Sequence, residues 1–128
     1  MKKALFTFAV ALMCTFSFGQ TIHKGSLLGV HILAPNLKEG VTMQDYTNFY
    51  MNKWIPEVEK AFPGVKAYLL KSVRGEDSSG MGVIYIFNSE ADRNKYWTTT
   101  GAMTAAGEAA VNAVNNKLGK DIEKYETT

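Results

Sequence analysis

The sequence VKAYLLKSV at residues 65–73, the polar loop GEDSSG at residues 75–80 and the sequence MGVIYIF at residues 81–87 together predict a long β-hairpin. Side chains alternate between the two faces of a strand. One face of the first hairpin strand therefore carries Val65, Ala67, Leu69 and Val73. The other face carries Tyr68, Leu70, Ser72 and Arg74. The hairpin supplies two strands of the predicted sheet.

A strand and a helix are predicted before the hairpin. The apolar run LLGVHIL at residues 27–33 is typical of a strand with both faces covered. Thr42-x-x-Asp45 predicts a capped helix start, and the helix runs to about Phe62 before Pro63-Gly64 ends it. Pro56 predicts a kink or a restarted helix, because proline lacks the amide of a helical hydrogen bond. An aromatic stripe at a spacing of four, predicted mainly for the core, comprises Tyr46, Tyr50, Trp54, Val58 and Phe62.

After the hairpin, Ser89-x-x-Asp92 predicts a second helix. The segment 98–101 interrupts this helix, and an alanine-rich stretch at residues 102–118 resumes it. Gly119 is predicted to stop the helix, and residues 121–126 to form one edge strand.

The resulting order is strand, helix, strand, strand, helix, strand. It predicts an α+β fold, a ferredoxin-like βαββαβ subunit whose antiparallel sheet carries two helices on one face. The apolar residues expected on the uncovered face are Leu33, Leu70, Tyr85 and Phe87. Because soluble monomers rarely expose such a patch, a second sheet is expected to cover it.

The first residues are typical of an export signal. Lys2 and Lys3 precede an apolar run that ends near Ser17-Phe18-Gly19, so residues 1–19 are predicted to be removed. Residues 20–26 are predicted to be a flexible N-terminal lead and residues 27–128 a single domain. The product is expected in the periplasm or outside the cell, where the loss of Cys14, the one cysteine, excludes disulfides.

Charge and hydropathy argue against two classes of partner. Lys2 and Lys3 are two of the 14 basic residues, so the remaining 12 balance the 12 acidic ones. A neutral chain without clustered basic residues favours neither nucleic acid nor a membrane surface as a partner. After the signal, no segment approaches the roughly 20 apolar residues that a membrane-spanning helix needs.

Several motifs resemble the dimeric α+β barrel superfamily, which includes EthD-like and NIPSNAP-like proteins and antibiotic-biosynthesis-type monooxygenases. The motifs are Val41-Thr42-x-x-Asp45-Tyr46, Trp54-Ile55-Pro56, Phe62-Pro63-Gly64-Val65 and Ile86-Phe87-Asn88-Ser89-Glu90-Ala91. The resemblance implies a homodimer in which two sheets meet across a two-fold axis. It also implies a pocket for a small hydrophobic or aromatic compound, but it selects no chemistry.

His31 is the candidate catalytic residue. It interrupts the first strand on the face of Gly29 and Leu33, and it looks into the barrel if the opposite face packs on the helices. An imidazole there could act as a general base near neutral pH or polarise a carbonyl. The alternative is a histidine whose hydrogen bonds are satisfied at the pocket wall or the dimer interface.

The candidate ligand-binding residues are mainly aromatic. Tyr85 and Phe87 share one face of the third strand, and Tyr68 and Arg74 are expected on the same face of the second strand. Trp54 belongs to the first helix, and Trp97 precedes the helix interruption, where it could form a lid. Such a set would line a small-molecule site, although core or interface packing explains the aromatics equally well. Arg74 could grip a substrate carboxylate or pair with an acid of the loop.

No metal site and no cofactor are predicted. The chain has two histidines and no paired histidine motif, and the second helix lacks the axial histidine of haem-degrading relatives. Haem would need a tyrosine or His31 as an unusual ligand. Two functions stay open: a non-catalytic small-ligand-binding protein, or a cofactor-independent oxygenase or isomerase that acts on a small aromatic or carbonyl compound with His31 as base.

Overall fold

The computed structural model describes residue 22, residues 24–74 and residues 80–127. The predicted signal at residues 1–19 lies outside these residues, as does most of the predicted hairpin loop. In the described part, no helix is both long enough and apolar enough to cross a membrane.

Three strands form one antiparallel sheet in the described part of the chain. They are β1 (Leu28–Leu33), β2 (Val65–Lys71) and β3 (Met81–Phe87), in the spatial order β1-β3-β2. Tyr85 of the central strand β3 is paired with Gly29 of β1 on one side and with Ala67 of β2 on the other. At the end of the predicted hairpin, the amide of Ser72 donates to the carbonyl of Gly80 over 2.9 Å. The hairpin pairing is therefore confirmed.

The helical layer begins with α1 (Met43–Phe49), continues through a π-helical turn (Tyr50–Trp54) and then becomes α2 (Ile55–Ala61). Thr42 and Asp45 form the predicted capping box. The predicted interruption near Pro56 is also confirmed, and it takes the form of this π turn. Residues four apart drift around an α-helix, and a turn with one extra residue reduces that drift. The π turn thereby helps keep the aromatic stripe on the sheet.

The second helical region is divided as the sequence predicts. Helix α3 spans Glu90–Tyr96 and is capped by Ser89, and α4 spans Ala105–Ile122 and is capped by Thr104. The connection between them is held by the Thr104 hydroxyl, which donates to the carbonyl of Lys95 over 2.6 Å. Helix α4 therefore starts three residues later than predicted.

The predicted fourth strand at residues 121–126 is wrong. Helix α4 runs through Gly119 to Ile122, because Gly119 keeps a negative φ and no side chain or backbone obstructs the helix there. Beyond α4, a single antiparallel bridge joins Glu126 to Leu37. The apolar residues Ile122 and Tyr125 pack against the core instead of alternating across a sheet edge.

The face of the sheet toward the helices forms the core with the aromatic stripe. Buried residues from all three strands and the helices make two clusters, centred on Tyr46 with Val83 and on Phe62 with Val114. Leu33 is buried in this core, and Tyr85 and Phe87 pack against it. The prediction that these three side chains lie on the uncovered face is therefore wrong.

The uncovered face is apolar, as expected, but it carries other side chains. Val30 is 66% exposed and Ile32 is 79% exposed, and both alternate with the core-facing residues of β1. Tyr68 and Leu70 extend the same exposed face on β2. The described residues therefore form an α+β fold whose three-stranded antiparallel sheet has helices on one face and an apolar surface on the other.

Candidate ligand pocket

A pocket of about 430 Å³ lies between the helix side of the sheet and the helical layer. The sheet contributes Gly29, Val30, His31, Tyr85 and Phe87. The π turn and α2 region contributes Trp54, Val58 and Phe62. The connection before α4 contributes Trp97 and Met103, and α4 contributes Val111, Val114 and Asn115. This volume falls within the range of small-molecule sites.

Aromatic rings form the inner wall of the pocket. Phe62 and Trp97 are stacked, with ring centroids 5.5 Å apart and planes inclined by 16°. The edge of Phe87 meets Trp97 at a centroid distance of 5.5 Å and an angle of 79°. Both arrangements are favourable for ring quadrupoles. The contacts fix the orientation of Trp97 at the point where α3 ends.

The residues at the floor of the pocket are buried, and those at its rim are exposed. Val58, Phe62 and Val114 are buried and form the floor. His31 and Asn115 are exposed and form part of the rim. The pocket is therefore apolar at its base, with polar side chains where it meets solvent.

Tyr85 and His31 are the two polar side chains that the sheet contributes to the pocket, and the Tyr85 hydroxyl is partly removed from solvent. Burial raises its pKa, with a smaller contribution from nearby Tyr50, so the phenol stays neutral and keeps its proton. Among the described residues, no side chain or carbonyl makes a hydrogen bond with this hydroxyl. Gly29 and Ala67 are its cross-strand neighbours, and the ring of Phe87 lies over Gly29.

Five of the seven predicted site residues line this one pocket. They are His31, Trp54, Tyr85, Phe87 and Trp97. His31 was predicted to face away from the helices, on the condition that Leu28, Val30 and Ile32 pack against them. The side chains of these three residues instead turn away from the helices. His31 therefore shares the helix side with Tyr85, and its catalytic role stays a prediction.

Tyr68 and Arg74 lie elsewhere. Tyr68 is paired with Ile84, one residue out of phase with Tyr85, and it projects from the opposite face of the sheet. Arg74 follows the end of β2, and its carbonyl accepts a hydrogen bond from the Ser72 hydroxyl. The prediction that Tyr68 shares a face with Tyr85 and Phe87 is wrong, because the register pairs Ala67 with Tyr85. Arg74 lies beyond the paired residues of β2 and is not among the residues that line the pocket.

Asn115 and Met103 line the pocket but were not among the residues predicted from the sequence. Asn115 lies four residues after Val111, so both occupy the same side of α4. That spacing was the signal that the sequence offered for Asn115. Met103 could be placed only through its bridge to Trp97, which no sequence pattern predicts.

A second polar cluster involves the end of the chain and is structural. The Tyr46 hydroxyl donates to the Glu126 carboxylate, and the Tyr46 ring packs against Tyr50 at a centroid distance of 4.8 Å. Burial is the largest cause of the raised Tyr46 pKa, followed by the bond to Glu126. These partners satisfy one another and anchor the chain end over α1.

Within the described ranges, no three side chains among His, Cys, Asp and Glu are placed to hold a metal ion. The chain matches no protein-family model, no curated protein and no solved structure. The pocket geometry is consequently the basis for any functional conclusion.

Proposed function

We propose that this protein binds a small aromatic ligand in the pocket beneath β1. The observation that carries the proposal is the convergence of Trp54, Phe62, Tyr85, Phe87 and Trp97 on one solvent-connected cavity. Ligand sites are commonly apolar cavities of this size with a few polar groups. A fully packed core would leave no such space.

The apolar wall supplies part of the binding free energy. Burying about 150 Å² of apolar ligand surface would contribute about 4 kcal/mol, before the cost of association is subtracted. That amount alone corresponds to a dissociation constant near 1 mM. Tighter binding therefore requires polar contacts with Tyr85, His31 or Asn115.

A substitution that fills the pocket tests this proposal. Val111→Phe adds a ring within the cavity, and Ala113→Phe adds the same ring to an exposed position of α4. Using 2-acetylnaphthalene as the probe in equilibrium dialysis, we expect Val111→Phe to weaken binding at least tenfold and Ala113→Phe to leave it unchanged. Equal binding to both variants would place the ligand elsewhere.

We also propose that the sheet belongs to a ferredoxin-like subunit of a dimeric α+β barrel. The order β1-β3-β2 is compatible with that subunit, although the described part lacks the fourth strand. The apolar outer face supports burial against the same face of a second copy, since monomers rarely expose such surfaces.

A cofactor-independent oxygenase or isomerase is the second candidate, favoured by the presence of both His31 and Tyr85 in the lining of the same pocket. In this mechanism, the imidazole removes a proton from a bound aromatic or carbonyl compound. A His31→Ala variant that turns over such a compound at the rate of the unmodified protein would exclude the mechanism.

A further inference from the structure

We propose that the ligand is an uncharged aromatic carbonyl compound and that its carbonyl oxygen accepts a hydrogen bond from the Tyr85 hydroxyl inside the pocket. The proposal rests on the ligand-binding function above. It adds the charge of the ligand, the polar group that it carries and the side chain that recognises it.

The absence of charge follows from the lining. Among the described residues, no Lys, Arg, Asp or Glu side chain lines the pocket. Transfer of an ion into an apolar cavity is costly when no opposite charge or dense set of hydrogen bonds receives it. His31, the lining residue that can carry a charge, is exposed at the rim, so the apolar base of the pocket selects against carboxylates, phosphates and amines.

The aromatic character follows from the rings of the inner wall. Phe62, Phe87 and Trp97 all line the cavity, and they already combine one stacked pair with one edge contact. A planar aromatic ligand can stack on a ring face or meet a ring edge, and either contact adds to the burial of its surface.

The carbonyl follows from the Tyr85 hydroxyl. Buried polar groups nearly always have a hydrogen-bond partner, and each exception needs an explanation. The Tyr85 side chain is partly buried and lines the pocket, and its hydroxyl has no hydrogen-bond partner among the described residues. A neutral donor on a side chain of this mainly apolar lining is complementary to an acceptor that carries no charge, and an aryl carbonyl provides one.

Asn115 and His31 at the rim are consistent with the same ligand class. Neither side chain makes a hydrogen bond with another described residue. An amide and an imidazole can each donate and accept, so they tolerate several substituents at the outer end of the ligand. Specificity therefore resides at Tyr85, deeper in the site.

The test compares three probes that share one ring system: 2-acetylnaphthalene, 2-isopropylnaphthalene and 2-naphthoate. Dissociation constants are measured by equilibrium dialysis for the unmodified chain, Tyr85→Phe and Tyr68→Phe. Tyr68 is the matched control because its hydroxyl lies on the other face of the sheet.

We expect Tyr85→Phe to weaken binding of the ketone about three- to tenfold, the usual effect of one neutral hydrogen bond. Binding of 2-isopropylnaphthalene should not weaken, and Tyr68→Phe should change neither constant. The unmodified chain should bind 2-naphthoate at least tenfold more weakly than the ketone.

Unchanged ketone binding by Tyr85→Phe, or tighter binding of 2-naphthoate than of the ketone, would overturn this inference and leave the proposed function standing. Failure of all three probes to bind would overturn both. If Tyr85→Phe does not fold, the carbonyl stretching band of the ketone bound to the unmodified chain decides: a shift to lower frequency than in hydrocarbon solvent supports the hydrogen bond, and an unshifted band contradicts it.

Discussion

Glu57 connects α2 to α4 through two ion pairs. Its carboxylate lies 2.6 Å from the Lys117 ammonium and 2.7 Å from that of Lys60. Hydrogen bonds from Lys117 first, and then from Lys60, lower the pKa of Glu57 below its ordinary value of 4.5. The folded state therefore favours the ionised carboxylate.

A lowered pKa in the folded state makes stability depend on pH in a definite direction. The contribution of Glu57 is fully present above its unfolded pKa of 4.5 and is lost as the pH falls through the lower folded value. We expect Glu57→Gln to be less stable than the unmodified chain at neutral pH and to lose less stability on acidification. Urea unfolding midpoints between about pH 7 and pH 3 measure both effects.

Glu123→Gln is the matched control, because the Glu123 carboxylate forms no ion pair with a described residue. Its midpoints should follow those of the unmodified chain. Parallel pH curves for Glu57→Gln and the unmodified chain would contradict the role assigned to Glu57.

At the scale of elements, the start of α4 packs unusually close to the end of α3. A Cβ atom on Gly107 would lie 2.4 Å from the carbonyl oxygen of Tyr96. The same carbonyl accepts a hydrogen bond from the Thr104 amide over 3.0 Å, which fixes its position at the helix start. Only glycine at position 107 permits this approach.

Gly107→Ala should therefore destabilise the protein, although alanine ordinarily stabilises a helix. We expect a loss of about 1–3 kcal/mol in the free energy of unfolding, as for other overpacked sites. Gly119→Ala, in the same helix with open space around it, should gain about 0.5–1 kcal/mol. Urea denaturation of both variants measures the difference, and a gain for Gly107→Ala would contradict the close packing.

The elements also show which features the sequence could predict. Local chemistry specified the caps at Thr42 and Ser89, and the alternation in residues 65–87 specified the hairpin. The fourth strand was predicted wrongly because Gly119 can stop a helix but does not require it, and because Tyr125 packs on Phe49, a contact 76 residues away in the sequence, at a centroid distance of 4.8 Å.

The sequence likewise predicted one part of the candidate site and not another. Residue type alone singled out the five residues that line the pocket, because large aromatic side chains and a histidine within an apolar strand are common in ligand sites. They are His31, Trp54, Tyr85, Phe87 and Trp97. Which of these strand residues face the helices depends on the strand register, since a shift of one residue moves every side chain of a strand to the other face. Tyr68 is paired with Ile84 and is one residue out of phase with Tyr85, so it lies on the outer face of the sheet.

At the scale of the whole molecule, the outer face of the sheet should control association. Ile32 lies on this face and is 79% exposed in the single chain. If two copies meet through their sheets, Ile32→Lys places a charge in the apolar interface, where ions are poorly solvated. We expect that variant to be monomeric in gel filtration with light scattering.

Met51→Lys is the matched control, because Met51 is an exposed apolar residue of the helical layer. We expect it to form the same dimer that we propose for the unmodified protein. A monomeric unmodified protein, or an Ile32→Lys variant that still dimerises, would contradict association through this face.

The most direct measurement of the central claim is a titration of ¹⁵N-labelled protein with 2-acetylnaphthalene, observed at the tryptophan indole amides. The chain has two tryptophans, and both Trp54 and Trp97 line the pocket. If the pocket binds the ketone, both indole signals should shift along a saturable curve with one dissociation constant, and Val111→Phe should suppress the shifts. Two indole signals that stay fixed while the ligand reaches its solubility limit would contradict the claim that this pocket binds an aromatic ligand.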